Sequence, residues 1–165
     1  MKLPSLNPLG IKRSSKGFTL IELLVVIAII SVLAVVVFVA LNPAQRLKDA
    51  KDARRTADVD TILTAIHASI VDAKGTLPSG LSTGMAEAQL GTAGSGGAIS
   101  TGGCSVTTAA ALDLSTPLVK YLKTIPFDPG GTAALTKYSV VVDANNIVTV
   151  KACGTEGTVN ISASR

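Results

Sequence analysis

Two cysteines, Cys104 and Cys153, are the residues of this chain whose type most directly suggests chemistry. In an oxidising compartment, a pair of cysteines in a small domain predicts a disulfide, whereas the alternative is two unrelated buried thiols. A zinc site is not expected, because the chain has no CxxC motif and its one histidine, His67, is far from both cysteines in sequence. We therefore predict no metal site and no cofactor, and we expect His67 to be a partly exposed surface residue.

Carboxylates and glycine-rich stretches are the other candidates for a catalytic or binding site in the C-terminal half. The acidic residues considered there are Asp113, Asp128, Asp143 and Glu156. Carboxylates at turns are usually solvated or cap the turn, and we expect the same here. The GSGG stretch at residues 94–97 neither follows a strand nor opens a helix, so it does not predict a phosphate site. We predict no catalytic residue and no enzymatic activity.

A long apolar segment at residues 18–41 organises the rest of the chain, and Glu22 is its only ionisable side chain. About 20 apolar residues are needed to cross the roughly 30 Å hydrocarbon core of a bilayer as a helix. The segment is rich in Val and Ile, which also suit a strand. A strand in lipid, however, leaves backbone groups unpaired. The segment therefore predicts a transmembrane helix.

A basic cluster that ends in glycine, KRSSKG at residues 12–17, directly precedes this apolar segment. Together, the stretch KGFTLIELL resembles the processing site of type IV prepilins and of the pseudopilins of type II secretion systems. The resemblance covers residues 12–41 closely and the remainder of the chain loosely. It implies a leader at residues 1–17, which a membrane prepilin peptidase removes by cutting after Gly17 before it methylates the new amine of Phe18.

The resemblance also implies a structural role rather than a chemical one. Subunits of this family are drawn from the membrane into a helical filament by an ATPase-driven inner-membrane machine. Glu22 matches the glutamate that neutralises the amine of an adjoining subunit, here the amine of Phe18. The expected partners are further copies of the chain, the prepilin peptidase, the assembly platform with its ATPase, minor pilins or pseudopilins, and membrane lipid before assembly.

Three roles within or near this family stay open. The stretch LVKYLKTIPFDPGG before Tyr138 is similar to the segment that precedes the sheet of major pseudopilins, which favours a type II secretion subunit. The pair Cys104 and Cys153 favours a pilin of a surface type IV pilus, whose heads often carry a disulfide loop. A calcium loop like that of major pseudopilins is lacking, because residues 143–146 are a poor substitute. The third role is a solitary membrane-anchored binding module.

The net charge of +4 at first suggests a nucleic-acid partner, but most of it belongs to the leader. No acidic residue precedes Phe18, so the chain from Phe18 onward has 11 basic and 11 acidic side chains. We therefore expect no nucleic-acid binding. Basic residues flank both ends of the apolar segment, so the positive-inside rule does not fix its orientation. The resemblance implies a single pass through the cytoplasmic membrane, with the N-terminus in the cytoplasm and the head outside.

An amphipathic helix at residues 42–75 is expected to continue the transmembrane helix. Asn42-Pro43 interrupts it, either as a kink with local melting, which we favour, or as the start of a second helix. The apolar stripe of this helix consists of Val59, Ile62, Leu63, Ile66 and Ile70. Gly75 is expected as its C′ residue. Three alanines, Ala50, Ala53 and Ala57, lie opposite the stripe, either as a surface for neighbouring helices or simply as good helix formers.

The globular head is expected at residues 76–165. It comprises a connection at 76–114 with a short helix near 85–90, a short helix at 115–125 and an antiparallel sheet at 138–162. A three-residue hairpin loop pairs Val142 with Val148, which puts apolar residues on one face of the sheet, and it requires a left-handed Asn146. A third strand is expected at 159–162. The predicted fold is α+β and pilin-like: a long N-terminal helix, transmembrane then amphipathic, packed on a small antiparallel sheet.

Overall fold

The computed structural model of the protein describes residues 17–157 and 160–165. The chain divides into two compact units, Met1–Pro43 and Ala44–Arg165, and each is described by itself. Residues 1–16 of the expected leader, and Val159 of the expected third strand, lie outside the described residues.

The first unit consists of helix α1, Leu20–Leu41. No residue of α1 is buried, and apolar side chains surround it on every side. The hydroxyl of Ser31 donates to the carbonyl oxygen of Ile27 at 2.7 Å, so this mid-helix polar group is satisfied within the helix. At the C-terminal end, Asn42 adopts the left-handed conformation with φ 40°, and its N–H donates to the carbonyl of Val39.

The second helix, α2, spans Pro43–Asp72. Proline suits a first helical position, because the N–H that it lacks would have no partner there. The interruption expected at Asn42-Pro43 is therefore present as one non-helical residue. The predicted apolar stripe is also present, since Val59, Ile62, Leu63 and Ile66 are all buried.

The C-terminal end of α2 corrects one sequence prediction. Lys74 and Gly75 both have positive φ, 54° and 94°. The N–H of Lys74 donates to Val71 and that of Gly75 to the carbonyl of Ile70, which is the Schellman pattern. Lys74 rather than Gly75 is therefore the C′ residue, because the helix ends at Asp72 and leaves Ala73 as its cap.

The head contains one antiparallel sheet with strand order β1-β2-β3-β4. Its strands are β1 Ala88–Gln89, β2 Tyr138–Val142, β3 Val148–Ala152 and β4 Ile161–Ser164. The predicted hairpin register is confirmed, since Val142 pairs with Val148. Asn146 has φ 64°, as the three-residue loop requires.

Two parts of the sheet differ from the sequence prediction. Residues 85–90 were expected to hold a short helix, but Ala88 and Gln89 form β1 because they pair with Val140 and Ser139 of β2. Among the described residues the last strand spans Ile161–Ser164, two residues beyond the expected end at 162, because Ile161 pairs with Ala152 and Ser164 with Thr149 of β3. A shift of two residues keeps the same side chains on the core face of the sheet.

The core of the head lies between the apolar face of the sheet and the stripe of α2. The inward residues of β2 and β3 are Tyr138, Val140, Val142, Val148, Val150 and Ala152, all fully buried in one cluster with the α2 stripe. Helix α3 covers only Ser115–Leu118 and not the expected 115–125, although Leu118 is buried in this core. The predicted α+β, pilin-like arrangement is therefore present.

A buried ion pair fastens the loop before the sheet to α2. The side chains of Arg55 and Asp128 are 2% and 1% exposed, and the Nε and Nη2 atoms of Arg55 both donate to the Asp128 carboxylate. Asp128 also accepts from the N–H of Gly130 at 2.7 Å, and Arg55 Nη1 donates to Asp52 at 2.6 Å. Asp128 caps its turn as expected. Capping was one of the two expected roles, and the carboxylate is buried rather than solvated because Arg55 pairs with it in the interior.

We expect Arg55→Met to destabilise the head, because it leaves the buried carboxylate of Asp128 without its cation. Breaking one side of a buried pair typically costs on the order of 3–5 kcal/mol. Chemical denaturation of the full chain in detergent, followed by circular dichroism, measures the change. The matched control is Lys120→Met, which breaks an exposed pair with Asp72 and should change stability little. Equal stability of the two variants would contradict the role of the buried pair.

Acid should weaken the same contact. Burial by itself raises the pKa of the Asp128 carboxyl, but hydrogen bonds from Arg55 and Gly130 outweigh it and hold the pKa below its ordinary 3.8. A depressed folded-state pKa stabilises the fold above that ordinary value, and this stabilisation is lost as pH falls through the folded-state pKa. Asp128→Asn should therefore be less stable at neutral pH and lose stability less steeply in acid than the parent.

Candidate functional site

The expected cleavage site, Gly17 and Phe18, lies in non-helical chain immediately before α1. The side chain of Phe18 is 86% exposed. A Cβ atom built on Gly17 would meet no other atom within 4 Å, so packing within the described chain does not require glycine at this position. The segment is therefore accessible to an enzyme, and any need for glycine here comes from that enzyme and not from the fold.

Glu22 and Thr19 form a capping box at the start of α1. The Glu22 carboxylate accepts from the N–H of Thr19 at 2.8 Å and from its hydroxyl at 2.7 Å. In return, the Thr19 hydroxyl accepts from the N–H of Glu22 at 3.3 Å. Thr19 is a site residue that the sequence reasoning missed, although the Thr-x-x-Glu spacing before an apolar run is a recognisable signal for this motif.

The capping box places a negative charge one residue away from the expected new N-terminus. Acidic groups are favoured near the N-terminal end of a helix, where unpaired N–H groups carry partial positive charge. The Glu22 carboxylate already binds the backbone of Thr19, which directly follows Phe18. A cut after Gly17 would therefore create a cationic amine beside an existing anionic group.

Helix α1 presents an apolar surface that no other part of the described chain covers. The helix is apolar enough and long enough to cross a membrane. A helix that is apolar on every side requires lipid or other protein around it. This surface and the capping box are the parts of the first unit that can serve an external function.

The two cysteines in the head are joined by a disulfide across 49 residues of sequence. Both are buried, and they form a small cluster with Val106 and Ile99 that is separate from the main core. The bridge connects the long loop before α3 to the residue that follows β3. Gly102 in this loop has φ 61°, and a Cβ there would lie 2.7 Å from the carbonyl oxygen of Ala152, so the close approach requires glycine.

A polar cluster beside the disulfide has its charges paired. Glu87 is 9% exposed and accepts from Lys151 Nζ at 2.9 Å, from the Ser105 N–H at 3.1 Å and from the Ser139 hydroxyl. Ser139 and Lys151 face each other across β2 and β3. This arrangement stabilises the second face of the sheet, and it engages the side chain of Lys151 in an ion pair with Glu87.

The other candidate residues are not brought together. Within residues 17–157 and 160–165, no group of three or more His, Cys, Asp or Glu side chains is placed to hold a metal ion. His67 is half-buried on α2, as expected for a residue at the edge of the stripe. Gly17, Phe18 and Glu22 belong to the first unit, whereas Cys104 and Cys153 belong to the head.

A comparison with known families identifies the N-terminal segment. Residues 12–38 match the model described as the prokaryotic N-terminal methylation motif, which is the leader motif of type IV pilins and pseudopilins. The match includes the basic cluster, Gly17, Phe18, Glu22 and most of α1. No curated protein and no solved structure matches the chain significantly.

Loss of the disulfide should destabilise the head. Closing a loop of this length contributes roughly 4 kcal/mol on the chain-entropy model. Cys104→Ser, Cys153→Ser and the double variant should therefore all unfold at lower denaturant concentration than the parent, and to the same extent, because each removes the same cross-link. Titration of the denatured, unreduced parent should detect no free thiol. Two reactive thiols in the native protein would contradict this prediction.

Proposed function

We propose that the chain, which carries the leader motif of type IV pilins and pseudopilins, is a structural subunit of a type IV pilus-like filament. The observation that carries the proposal is that this motif covers the expected cleavage site and most of a helix with no buried residue. Such a helix can exchange lipid for the apolar helices of neighbouring subunits. The role requires no catalysis by the chain itself.

Processing is the first step of the proposal. A prepilin peptidase cuts after Gly17 and methylates the amine of Phe18. The cut lies before the apolar helix and not after it, so the mature chain keeps its membrane anchor. The accessibility of the segment around Gly17 supports this step.

Membrane insertion is the second step. The subunit crosses the cytoplasmic membrane once through α1, with the leader in the cytoplasm and the head outside. The disulfide between Cys104 and Cys153 supports the orientation, because such bridges form and persist in oxidising compartments outside the cytoplasm. The subunit later leaves this membrane for an extracytoplasmic or cell-surface filament.

Assembly is the third step, and it requires the charges at the start of α1 to be neutralised. In a filament, the amine of Phe18 would be buried among apolar helices, where an unpaired charge is costly. Glu22 of an adjoining subunit neutralises that amine and sets the axial step between subunits. In the free subunit its carboxylate binds its own Thr19, so this contact must be shared or exchanged as the subunit joins. An assembly platform, its ATPase and minor subunits complete the machine.

Within this role we favour a pseudopilin of a type II secretion-type system. The segment that is similar to major pseudopilins, LVKYLKTIPFDPGG at residues 118–131, contains Asp128. The buried ion pair between Asp128 and Arg55 fastens this segment to α2. A pilin of a surface type IV pilus, used in adhesion, motility or DNA uptake, is the second candidate, and the disulfide loop favours it. Surface filaments in the native host at ordinary expression would favour the second candidate, whereas secretion loss without surface filaments would favour the first.

Replacing Gly17 by Leu should block processing and leave the fold intact. The reason is that no neighbouring atom restricts this position in the chain, so the effect falls on recognition by the peptidase. Intact-mass spectrometry should find a mature parent beginning at N-methyl-Phe18 and an uncut variant. The matched control, Ser14→Leu, adds the same side chain to the leader and should still be cut. Normal cleavage of the Gly17 variant would refute the assigned site.

Replacing Glu22 by Ala should abolish filaments without preventing insertion, cleavage or disulfide formation. The variant leaves the amine of Phe18 unpaired in the filament, and Glu22→Gln should restore little because it keeps size but not charge. Sheared-filament yield and electron microscopy provide the measurement. The control Ser31→Ala changes the other polar side chain of α1 without changing charge, and it should assemble.

One further variant separates charge pairing from helix capping. Thr19→Ala removes the capping hydroxyl but leaves the Glu22 carboxylate in place. It should retain more filaments than Glu22→Ala if charge neutralisation is the main role of Glu22. Equal loss in the two variants would assign the effect to capping, and abundant, ordered filaments of Glu22→Ala would refute the proposed role.

A further inference from the structure

The first turns of α2 carry a concentration of positive charge directly after α1. Residues 42–55 contain five basic side chains and two acidic ones, whereas residues 56–165 contain six basic and eight acidic ones. Arg55 is buried against Asp128 and is not part of the surface. We call the four exposed basic residues the basic collar: Arg46, Lys48, Lys51 and Arg54.

Only two of the four residues of the basic collar form ion pairs within the described chain. Lys51 Nζ lies 2.6 Å from Glu156, and Arg54 Nε lies 3.6 Å from Asp58. Arg46 and Lys48 have no carboxylate within 4.0 Å among the residues that the structure describes. The acidic side chain next to them, Asp49, instead accepts a hydrogen bond from Gln45 at 2.8 Å.

The position of the collar is also unexpected for a membrane protein with the proposed orientation. The positive-inside rule places excess Lys and Arg on the cytoplasmic side, yet this cluster follows the helix on the opposite side. Arg46 and Lys48 are exposed cations for whose position neither the head nor the topology rule gives a reason. An anionic partner at the level of the membrane surface supplies such a reason.

The collar follows the apolar helix closely in sequence. Arg46 and Lys48 lie within seven residues of Leu41, the last residue of α1. Seven residues span about 10 Å as a helix and at most about 25 Å as a fully extended chain. The headgroup layer adds roughly 5–7 Å beyond the hydrocarbon core on each side, and long basic side chains reach toward it while their stems remain on apolar surface.

We propose that the basic collar binds anionic phospholipid headgroups in the leaflet on the head side of the membrane. This rests on the proposed membrane anchor and not on filament formation. Arg46 and Lys48 supply the ion pairs with headgroup phosphates, and Lys51 and Arg54 add to the positive potential. The contact fixes the height of the subunit in the bilayer and must be released when the subunit is extracted for assembly.

A second copy of the chain is the competing partner, and the structure favours lipid over it. Five of the eight carboxylates in residues 56–165 are already paired with basic residues of the same chain: Asp58, Asp72, Glu87, Asp128 and Glu156. Few therefore remain to receive Arg46 and Lys48 of a neighbour. Lipid phosphates, in contrast, surround every anchored subunit at this level.

The test uses the full mature chain in nanodiscs that contain equal amounts of phosphatidylglycerol and phosphatidylcholine. Native mass spectrometry measures the ratio of the two lipids that stay bound. The test variant is Arg46→Gln/Lys48→Gln. The control is Lys74→Gln/Lys123→Gln, which removes two exposed positive charges elsewhere in the head.

The parent and the control should retain an excess of phosphatidylglycerol. In the test variant this excess should be about thirtyfold smaller at low salt, because two basic side chains near the membrane surface are removed. The excess should shrink in the parent at high salt, because exposed charges are screened. Equal lipid ratios in the parent and the test variant would overturn the proposal. The proposal would also be overturned if the lipid ratios were unchanged and filaments were lost only in the test variant. That result would show that the basic collar contacts other copies of the chain and not lipid. Lipid binding is measured without filaments, so it can succeed or fail independently of the proposed function.

Discussion

The burial of α1 is the constraint on which the rest of the structure depends. Its side chains are apolar on every side, and none of them is buried within the described chain. Each such side chain left in water would cost about 1.5–3 kcal/mol relative to burial. The helix must therefore always be covered, first by lipid and, in the proposed filament, by other copies. Apart from Ser31, whose hydroxyl donates to the carbonyl of Ile27, the polar side chains lie at its start, where Thr19 and Glu22 satisfy each other.

The head does not depend on α1 for its fold, so replacement of lipid by other copies around α1 leaves the head intact. Its core lies between the stripe of α2 and one face of the sheet, and no residue of α1 takes part. The Arg55–Asp128 pair and the Cys104–Cys153 bridge fasten the two longest irregular segments to this core. A head of this size has limited apolar surface to bury, so these two long-range contacts compensate for the lack of large aromatic side chains.

Charged residues lie at both ends of the apolar helix. Their proposed contacts differ between the membrane-anchored subunit and the subunit in the filament. The Glu22 carboxylate at one end binds Thr19 at the start of its own helix, and we propose that it meets an adjoining amine in the filament. The basic collar at the other end is proposed to bind headgroups while the subunit is in the membrane. Glu22, Arg46 and Lys48 are exposed and form no ion pair with the head among the described residues, so each can change partner without unfolding it. The buried Arg55, in contrast, has a fixed structural role.

Local sequence patterns determined the leader motif, the apolar helix, the stripe of α2 and the hairpin register, because each depends on residues within a few turns of one another. The hairpin succeeded because only the three-residue loop separates apolar from polar faces, and Asn146 can adopt its positive φ. Tertiary structure alone decided the rest. Arg55 and Asp128 are 73 residues apart, and Ala88 becomes a strand only because Val140 is free to pair with it. Sequence periodicity predicts which face of a helix or strand is apolar. It does not predict which polar side chain, distant in sequence, will pack against that helix or strand.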